Sequence, residues 1–312
     1  MKCKIIKKIK NDFIYLLVVF ISTIWRILPR KAGLFIFGTI GKIIYMLPTK
    51  DKRLCKEHLK FIFTDKLTDK QISYIALKVY QNLGKNLFDA LYFSNKNSIL
   101  LSNFIEYDDI TTVWEEYNKK RGVIILTAHL GCFEMLLHFF ASQGFLCFAI
   151  GREIYDKRID EIVKKYRSGE NIIYLHRTGN LKKFLKLLSE GRMFGVLIDQ
   201  DTNVDGVFSH FLGRIAYTPC GAVKLAMRYN IPVFVVLTAR LNNEKHKIFI
   251  KKIDLILNGD FEKCLLYNIE EINNIISSLI VKYPDQWVWM HKRWNKKPTD
   301  VQYQNIPNIE KI

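Results

Sequence analysis

The stretch Val123–Leu137, VIILTAHLGCFEMLL, decides how this chain folds. Its opening run, Val123-Ile124-Ile125-Leu126, is apolar and mostly β-branched, the composition of a strand buried on both faces. Thr127-Ala128 closes the run, and small residues then let the chain turn closely around His129. Cys132–Phe140, rich in Leu, Met and Phe, reads as a helix packed back on the sheet. His129 and Glu134 therefore stand where the carboxyl end of a strand meets a helix, the crevice in which open α/β sheets bind ligands. Histidine titrates near neutral pH and can take a proton from a hydroxyl. A neighbouring carboxylate fixes its tautomer and stabilises the imidazolium that forms. A substrate that brings its own hydroxyl needs no serine or cysteine nucleophile. A structural histidine with a solvated glutamate one turn on has the same spacing, so the rest of the chain must decide.

Outward from this stretch, strands and helices alternate from Phe104 onward, the mark of a mostly parallel sheet. Strands are predicted at Phe145–Ile150, Ile172–Leu175, Phe194–Ile198, Pro232–Thr238 and Lys247–Ile253. Helices are predicted at Asp156–Tyr166, Leu181–Leu188, Pro219–Tyr229 and Ile269–Val281. The fold class is α/β, a three-layer sandwich around a mostly parallel sheet. Several chemically useful residues fall at strand ends. Arg152 is placed for a phosphate or a developing oxyanion, since a guanidinium forks oxygen pairs; the alternative is a surface ion pair with Glu153 or Asp156. Arg177 is a second phosphate candidate. Asp199 either orients a site base or holds a loop. The helix start near Thr218-Pro219 offers free backbone N–H groups to an anion.

Upstream, lysines crowd Met1–Lys10 (Lys2, Lys4, Lys7, Lys8, Lys10), and Phe13–Trp25 is almost wholly apolar. A full membrane span needs about 20 apolar residues, so the run is short. No small-residue cleavage site follows it. The segment reads as a membrane anchor, either a marginal span or a helix lying in the interface. A second apolar helix, Ala32–Leu47, carries Gly33, Gly38 and Gly41 and ends at Pro48. After a basic run at Lys50–Lys56 and a polar turn at Asp65–Asp69, Gln71–Phe93 reads as an amphipathic helix. The expected organisation is a membrane anchor and interfacial helix over 1–48, an α/β domain over 49–299 and a polar tail over 300–312.

With 312 residues and 49% hydrophobic content the chain can bury one large core. A formal charge of +18, spread along the chain, favours an anionic partner such as a membrane surface, a phosphorylated lipid or an acidic protein. No nucleic-acid-binding signature appears. The six cysteines are scattered, with no C-x-x-C pair, and suit reduced thiols rather than a disulfide framework or zinc site. His129, Glu134 and His138 do not fit the H-E-x-x-H zinc spacing, so no metal is expected. His58, His138 and His246 read as structural.

His129–Glu134, HLGCFE, resembles the His-x4-Glu/Asp block of the lysophospholipid acyltransferase-like superfamily. More narrowly it resembles the lipid A late acyltransferases, whose usual form is HLGNWE; Cys132 and Phe133 replace the Asn and Trp here. Four more blocks follow in order. Gly151-Arg152, with Asp156, Ile159, Asp160 and Arg167, resembles the second, with Glu153 where proline is usual. Gly195–Gln200 (GVLIDQ) matches G-x-L-x-D-Q. Val207–Arg214 followed by Thr218–Ala222 resembles the F-x-P-F-F-G block, with His210 where proline is common. Gln286–Trp294 (QWVWMHKRW) follows the closing Q-Y-L-W-L-H-R-R-F. The aromatic and cationic residues of that last block suit either a membrane interface or the core.

The resemblance implies transfer of a fatty acyl group from an acyl-carrier-protein thioester to a hydroxyl of a lipid A precursor. This is secondary acylation in lipopolysaccharide biosynthesis, at the inner membrane with the site facing the cytoplasm. On this reading His129 is the general base, Glu134 holds and charge-stabilises it, and Arg152, Arg177 and Asp199 bind substrate or steady the oxyanion. No cofactor is implied beyond the thioester cosubstrate. Alternatives are a glycerophospholipid or glycolipid acceptor, a catalytically silent membrane-binding protein, and a Cys/His hydrolase using Cys132.

Overall fold

The computed structural model describes residues 2–24, 28–64, 66–94, 101–178, 180–300, 302 and 306. Trp25, Arg26 and Ile27 of the expected anchor, Asp65 of the expected turn and nearly all of the polar tail lie outside them, as do the side chains of the N-terminal lysines.

Among the elements described, helices α1 (Lys2–Ile24), α2 (Arg30–Met46), α3 (Lys50–Ile62) and α4 (Asp69–Phe93) precede the sheet domain. The chain then runs β1 (Ile105–Tyr107), α5 (Thr111–Asn118), β2 (Val123–Thr127), α6 (Met135–Ser142), β3 (Cys147–Gly151) and α7 (Lys157–Arg167). It continues through β4 (Ile172–His176), α8 (Leu181–Ser189), β5 (Met193–Leu197), β6 (Gly206–Phe211) and β7 (Arg214–Pro219). The last elements are α9 (Gly221–Tyr229), β8 (Val233–Arg240), β9 (His246–Ile253) and α10 (Phe261–Lys282).

Seven strands form one sheet in the order β1-β9-β8-β2-β5-β3-β4. All neighbours are parallel except β8 and β9, which pair antiparallel along Val233–Arg240. The β2 run shows why the domain has three layers. Ile124 and Leu126 enter one apolar core with α8, α9 and α10, while Val123 and Ile125 enter another with α5 and α6. Alternate side chains point to opposite faces, so a strand covered on both sides must be apolar throughout, as this one is. The carboxyl ends of β2, β5, β3 and β4 consequently share one edge of the sheet.

Several boundaries shift from those read in the sequence. Lys50–Lys56 is not merely a basic run but the start of α3, which buries Cys55 and Leu59 one turn apart and leaves its cations outside. Thr218-Pro219 closes strand β7, and the following helix begins at Gly221. The β6–β7 hairpin, turned at Leu212-Gly213 with positive φ at both residues, is a separate two-stranded ribbon. It lies on α10, where its buried Ser209 and Thr218 meet Asn273.

α2 packs on α4 at close range because glycines face backbone. A Cβ at Gly41 would lie 2.1 Å from the Tyr80 carbonyl oxygen, and one at Gly84 would lie 2.1 Å from that of Phe37. Ion pairs fix the same contact. Arg30 of α2 forks the buried Asp89 of α4 at 2.8 Å through two nitrogens. Asp89 also accepts from Arg240 at 2.7 Å and from His246 at 2.8 Å, which ties both helices to β8 and β9.

Candidate active site

His129 follows β2 at the shared sheet edge, and the loop that carries it is held on three sides. Leu130 bridges Trp287, the Gly131 N–H donates to the Gln286 carbonyl at 3.0 Å, and the Val288 N–H donates to the His129 carbonyl at 3.2 Å. Gly131 has φ +57°, and a Cβ there would stand 2.3 Å from the Thr238 carbonyl oxygen. Both conformation and space demand glycine. A Gly131→Ala protein is therefore expected to lose about 1–3 kcal/mol of stability, to be read from urea unfolding midpoints.

The carboxylate that meets His129 is Asp199, just past the end of β5. Its Oδ1 lies 2.8 Å from His129 Nδ1, while its Oδ2 accepts the His129 backbone N–H at 2.8 Å and the Trp287 indole N–H at 2.7 Å. Asp199 is wholly buried. Burial by itself would raise its pKa, but the His129 charge and hydrogen bond, then His291 and the Trp287 N–H, outweigh it and hold the carboxyl well below the usual carboxylate range. An ionised Asp199 fixes the proton of His129 on Nδ1 and leaves the Nε2 lone pair facing outward. That lone pair meets the Gln200 carboxamide nitrogen at 2.9 Å, and the same nitrogen lies 2.6 Å from His291 Nε2. The two imidazole rings are 4.8 Å apart, centre to centre. Burial, followed by the neighbouring His129, lowers the His291 pKa to about 4, so it accepts from Gln200 as a neutral ring.

Glu134 is turned elsewhere. Arg167 forks it, with Nε donating to Oε2 at 2.9 Å and a second nitrogen donating to Oε1, while Arg167 also donates to the Tyr174 hydroxyl at 3.0 Å. The hydrogen bond to the imidazole that the sequence assigned to Glu134 is made by Asp199 instead. The turn at Gly131 aims Glu134 across the mouth of the site toward α7. Cys132 is no nucleophile: it is 1% exposed, and its thiol contacts the Asn86 carbonyl at 3.5 Å. Burial then raises its pKa strongly.

His129, Glu134, Arg152, Arg167 and Gln200 all line one groove of about 330 Å³. Its walls are otherwise apolar, formed by the sheet face of β2, β5 and β3 and by α6. Arg152 lines its rim, and Arg177 follows the neighbouring strand, since β3 and β4 pair Gly151 with His176. Both are exposed, and among the described residues neither guanidinium is paired with a carboxylate. Asp156 pairs with Arg158 instead, and the buried Asp160 accepts the Ile154 N–H at 2.8 Å, which pins the loop behind Arg152. The helix start expected near Thr218 lies at Gly221 instead; Thr218 is buried in β7, and its hydroxyl accepts from Arg293 at 2.8 Å. Trp287, Trp289 and Arg293 are wholly buried, so these members of the closing block are core, while Lys292 is exposed.

The sequence matches the family described as bacterial lipid A biosynthesis acyltransferase over residues 2–296. The chain belongs to that family. It is an acyltransferase, as the ordered motifs implied. No curated protein gives a significant match. Among solved structures, the 1-acyl-sn-glycerophosphate acyltransferase PlsC of Thermotoga maritima aligns with 73% of this chain and 95% of its own, at 14% identity and a TM-score of 0.36.

For this acyltransferase, Gln200, His291, Arg167 and Trp287 are site residues that sequence reasoning leaves without a role there. Gln200 adjoins Asp199 in GVLIDQ, and Arg167 ends the second block, so the motifs themselves contain both. The aromatic neighbours of His291 and Trp287 point to an interface or to the core instead. His58, His138 and His246 are structural, each hydrogen-bonded away from the groove.

Proposed function

We propose that this acyltransferase moves a fatty acyl group from an acyl-carrier-protein thioester to a hydroxyl of a lipid A precursor. The observation that carries the reading is one imidazole, braced at Nδ1 by a buried carboxylate, whose other nitrogen opens on an apolar groove. The incoming hydroxyl displaces the Gln200 amide from Nε2 and gives its proton to that nitrogen. Asp199 stabilises the resulting imidazolium, the role of the acid in a catalytic triad. The alkoxide attacks the thioester carbonyl carbon, and Arg152, paired with no carboxylate among the described residues, stabilises the oxyanion. Collapse breaks the C–S bond; the departing thiolate takes the proton from Nε2, leaving an ester and the free carrier thiol. Glu134 acts by holding Arg167 in the groove wall. Arg177 collects substrate phosphate at the rim, and the overall positive charge attracts the acidic carrier and anionic lipid. The chemistry needs no cofactor beyond the thioester.

The test is acyl transfer by purified protein in detergent or vesicles, with acyl-carrier-protein donor and either Kdo2-lipid IVA or a lysophospholipid as acceptor. Product on Kdo2-lipid IVA is expected. Product on the lysophospholipid alone would move the enzyme to glycerophospholipid synthesis, and product on neither would favour a silent binding protein.

The same reading sets the protein against the cytoplasmic face of the inner membrane. No single helix among the described residues is long and apolar enough to cross a bilayer; α2 and α3 together reach the length and composition, but bend by 90°. Exposed apolar side chains do cover one side of the N-terminal helices, with Phe13, Leu16 and Phe20 on α1 and Phe35, Ile43 and Met46 on α2. Phe35 is 74% exposed. Such a face suits a helix lying in the interface. Replacing Phe35, Ile43 and Met46 together by serine is expected to lower the fraction that co-sediments with anionic vesicles at least tenfold, each buried side chain being worth about 1.5–3 kcal/mol.

A further inference from the structure

A cleft of about 530 Å³ lies between α2, α4 and the β8–β9 turn, and it shares no lining residue with the His129 groove. Its turn wall is firmly built. The Leu241 N–H donates to the Lys245 carbonyl at 2.7 Å, and the Glu244 N–H to the Leu241 carbonyl at 3.0 Å. Glu244 has φ +62°, a conformation disfavoured for residues that bear a Cβ. Arg30 holds it there by donating to its carbonyl at 2.7 Å, while Lys85 and Arg240 pair with its carboxylate, the latter at 3.4 Å. A Cβ at Gly38 would lie 3.3 Å from Lys85 Cε, so the glycine gives the lysine stem room to reach the turn.

These pairings decide which charge is left over. Arg30 and Arg240 are committed to Asp89, and Lys85 to Glu244. Two cations of the lining remain, one on each wall. Lys31 of α2 is exposed and pairs with no carboxylate among the described residues. Lys245 of the turn stands 3.8 Å from Glu106, both half exposed, a contact worth little in water. Leu34, Phe35 and Phe104 give the lining an apolar side, and Asn103 and Asn243 add carboxamide donors. Lys31, Phe35, Thr39 and Ile43, spaced four apart, share one face of α2. The first three line the cleft, and Ile43, followed by Met46, carries the stripe on as exposed apolar surface.

We propose that this cleft holds one anionic phospholipid, its phosphodiester between Lys31 and Lys245 and its acyl chains lying along Phe35 toward Ile43 and Met46. The two surplus lysines fit a headgroup of net negative charge. A zwitterionic lipid would bring an ammonium against the same lysines. A free phosphate would leave the apolar side uncovered. The site is independent of the acyl-transfer reading, because the lipid here is a resident ligand and its binding is measured without turnover.

The experiment titrates the full-length protein, purified in neutral detergent, with dioctanoyl phosphatidylglycerol, dioctanoyl phosphatidylcholine and inorganic phosphate. Native mass spectrometry counts the molecules retained. One phosphatidylglycerol per chain is expected, held about tenfold more tightly than phosphatidylcholine. Lys31→Glu combined with Lys245→Glu should lower that affinity by roughly tenfold or more. Lys182→Glu combined with Lys183→Glu, the same charge change on exposed positions of α8, should leave it unchanged. Thermal melting checks that each variant folds, and the corresponding alanine pair replaces Lys31→Glu with Lys245→Glu should that protein fail to fold. Equal retention of the two lipids overturns the assignment, as does a loss in the α8 variant that matches the loss in the cleft variant. Displacement of phosphatidylglycerol by an equal concentration of inorganic phosphate would make this a free-anion site and overturn it as well.

Discussion

Replacing His129 with alanine is expected to lower acyl transfer by roughly 10³- to 10⁴-fold, and Asp199→Asn to lower it by roughly 10³-fold, with the folded structure kept. The two losses have different origins. Alanine removes the atom that receives the hydroxyl proton. Asparagine keeps the volume of Asp199 but removes the negative charge that stabilises the imidazolium. It also presents an N–H where His129 Nδ1–H and two further donors now converge on oxygen. Single-turnover kinetics at saturating donor would show both effects in kcat. A double variant should lose little more than His129→Ala alone, because the aspartate acts through the ring. Asp199→Asn with wild-type turnover would return the orienting role to Glu134.

The second large effect is on stability. Asp89→Ala is expected to destabilise the fold by about 3–5 kcal/mol, because it strips the buried Arg30 of its carboxylate and leaves Arg240 only the exposed Glu244 at 3.4 Å. Arg30 and Arg240 are 9% and 4% exposed at the side chain, and both lean on this one carboxylate. Urea denaturation of the purified protein in detergent reads the loss directly. The same cluster predicts acid lability. Burial, then Arg240, lowers the His246 pKa to about 4 against an ordinary value of 6.5. Below pH 6.5 the unfolded chain therefore binds a proton that the native ring refuses, and stability falls as pH drops from 6.5 toward 4. His291, also lowered to about 4, adds a second slope of the same sign over the same window. A melting temperature unchanged between pH 7 and pH 5 would contradict this.

Much of the architecture was readable because strands covered on both faces must be apolar, as Val123–Leu126 and Phe194–Leu197 are. The motif residues at their ends then fell on one edge of the sheet. The partner of His129 was not readable from spacing. Asp199 lies 70 positions away along the chain and reaches the ring only because β5 pairs beside β2 in register. Glu134, five residues from His129, was the nearer carboxylate in sequence but is swung toward Arg167 by a left-handed turn at Gly131. His291 was hidden by its neighbours: tryptophans and cations in a row resemble a membrane girdle, yet Trp287 is core because its indole N–H is committed to Asp199. The β6–β7 ribbon is not legible in the sequence because its strands pair only with each other and bury one face against α10.

The docking of α2 bears on how the protein can be handled. A shortened chain beginning after Leu47 would shed the greasy outer face of that helix, but it would also strip Arg30 from Asp89 and uncover Phe88 and Tyr80. Trimming for solubility would thus cut into the interior. Surface-directed replacements on α2, leaving Arg30 and the glycine seam in place, are the route to a tractable soluble form.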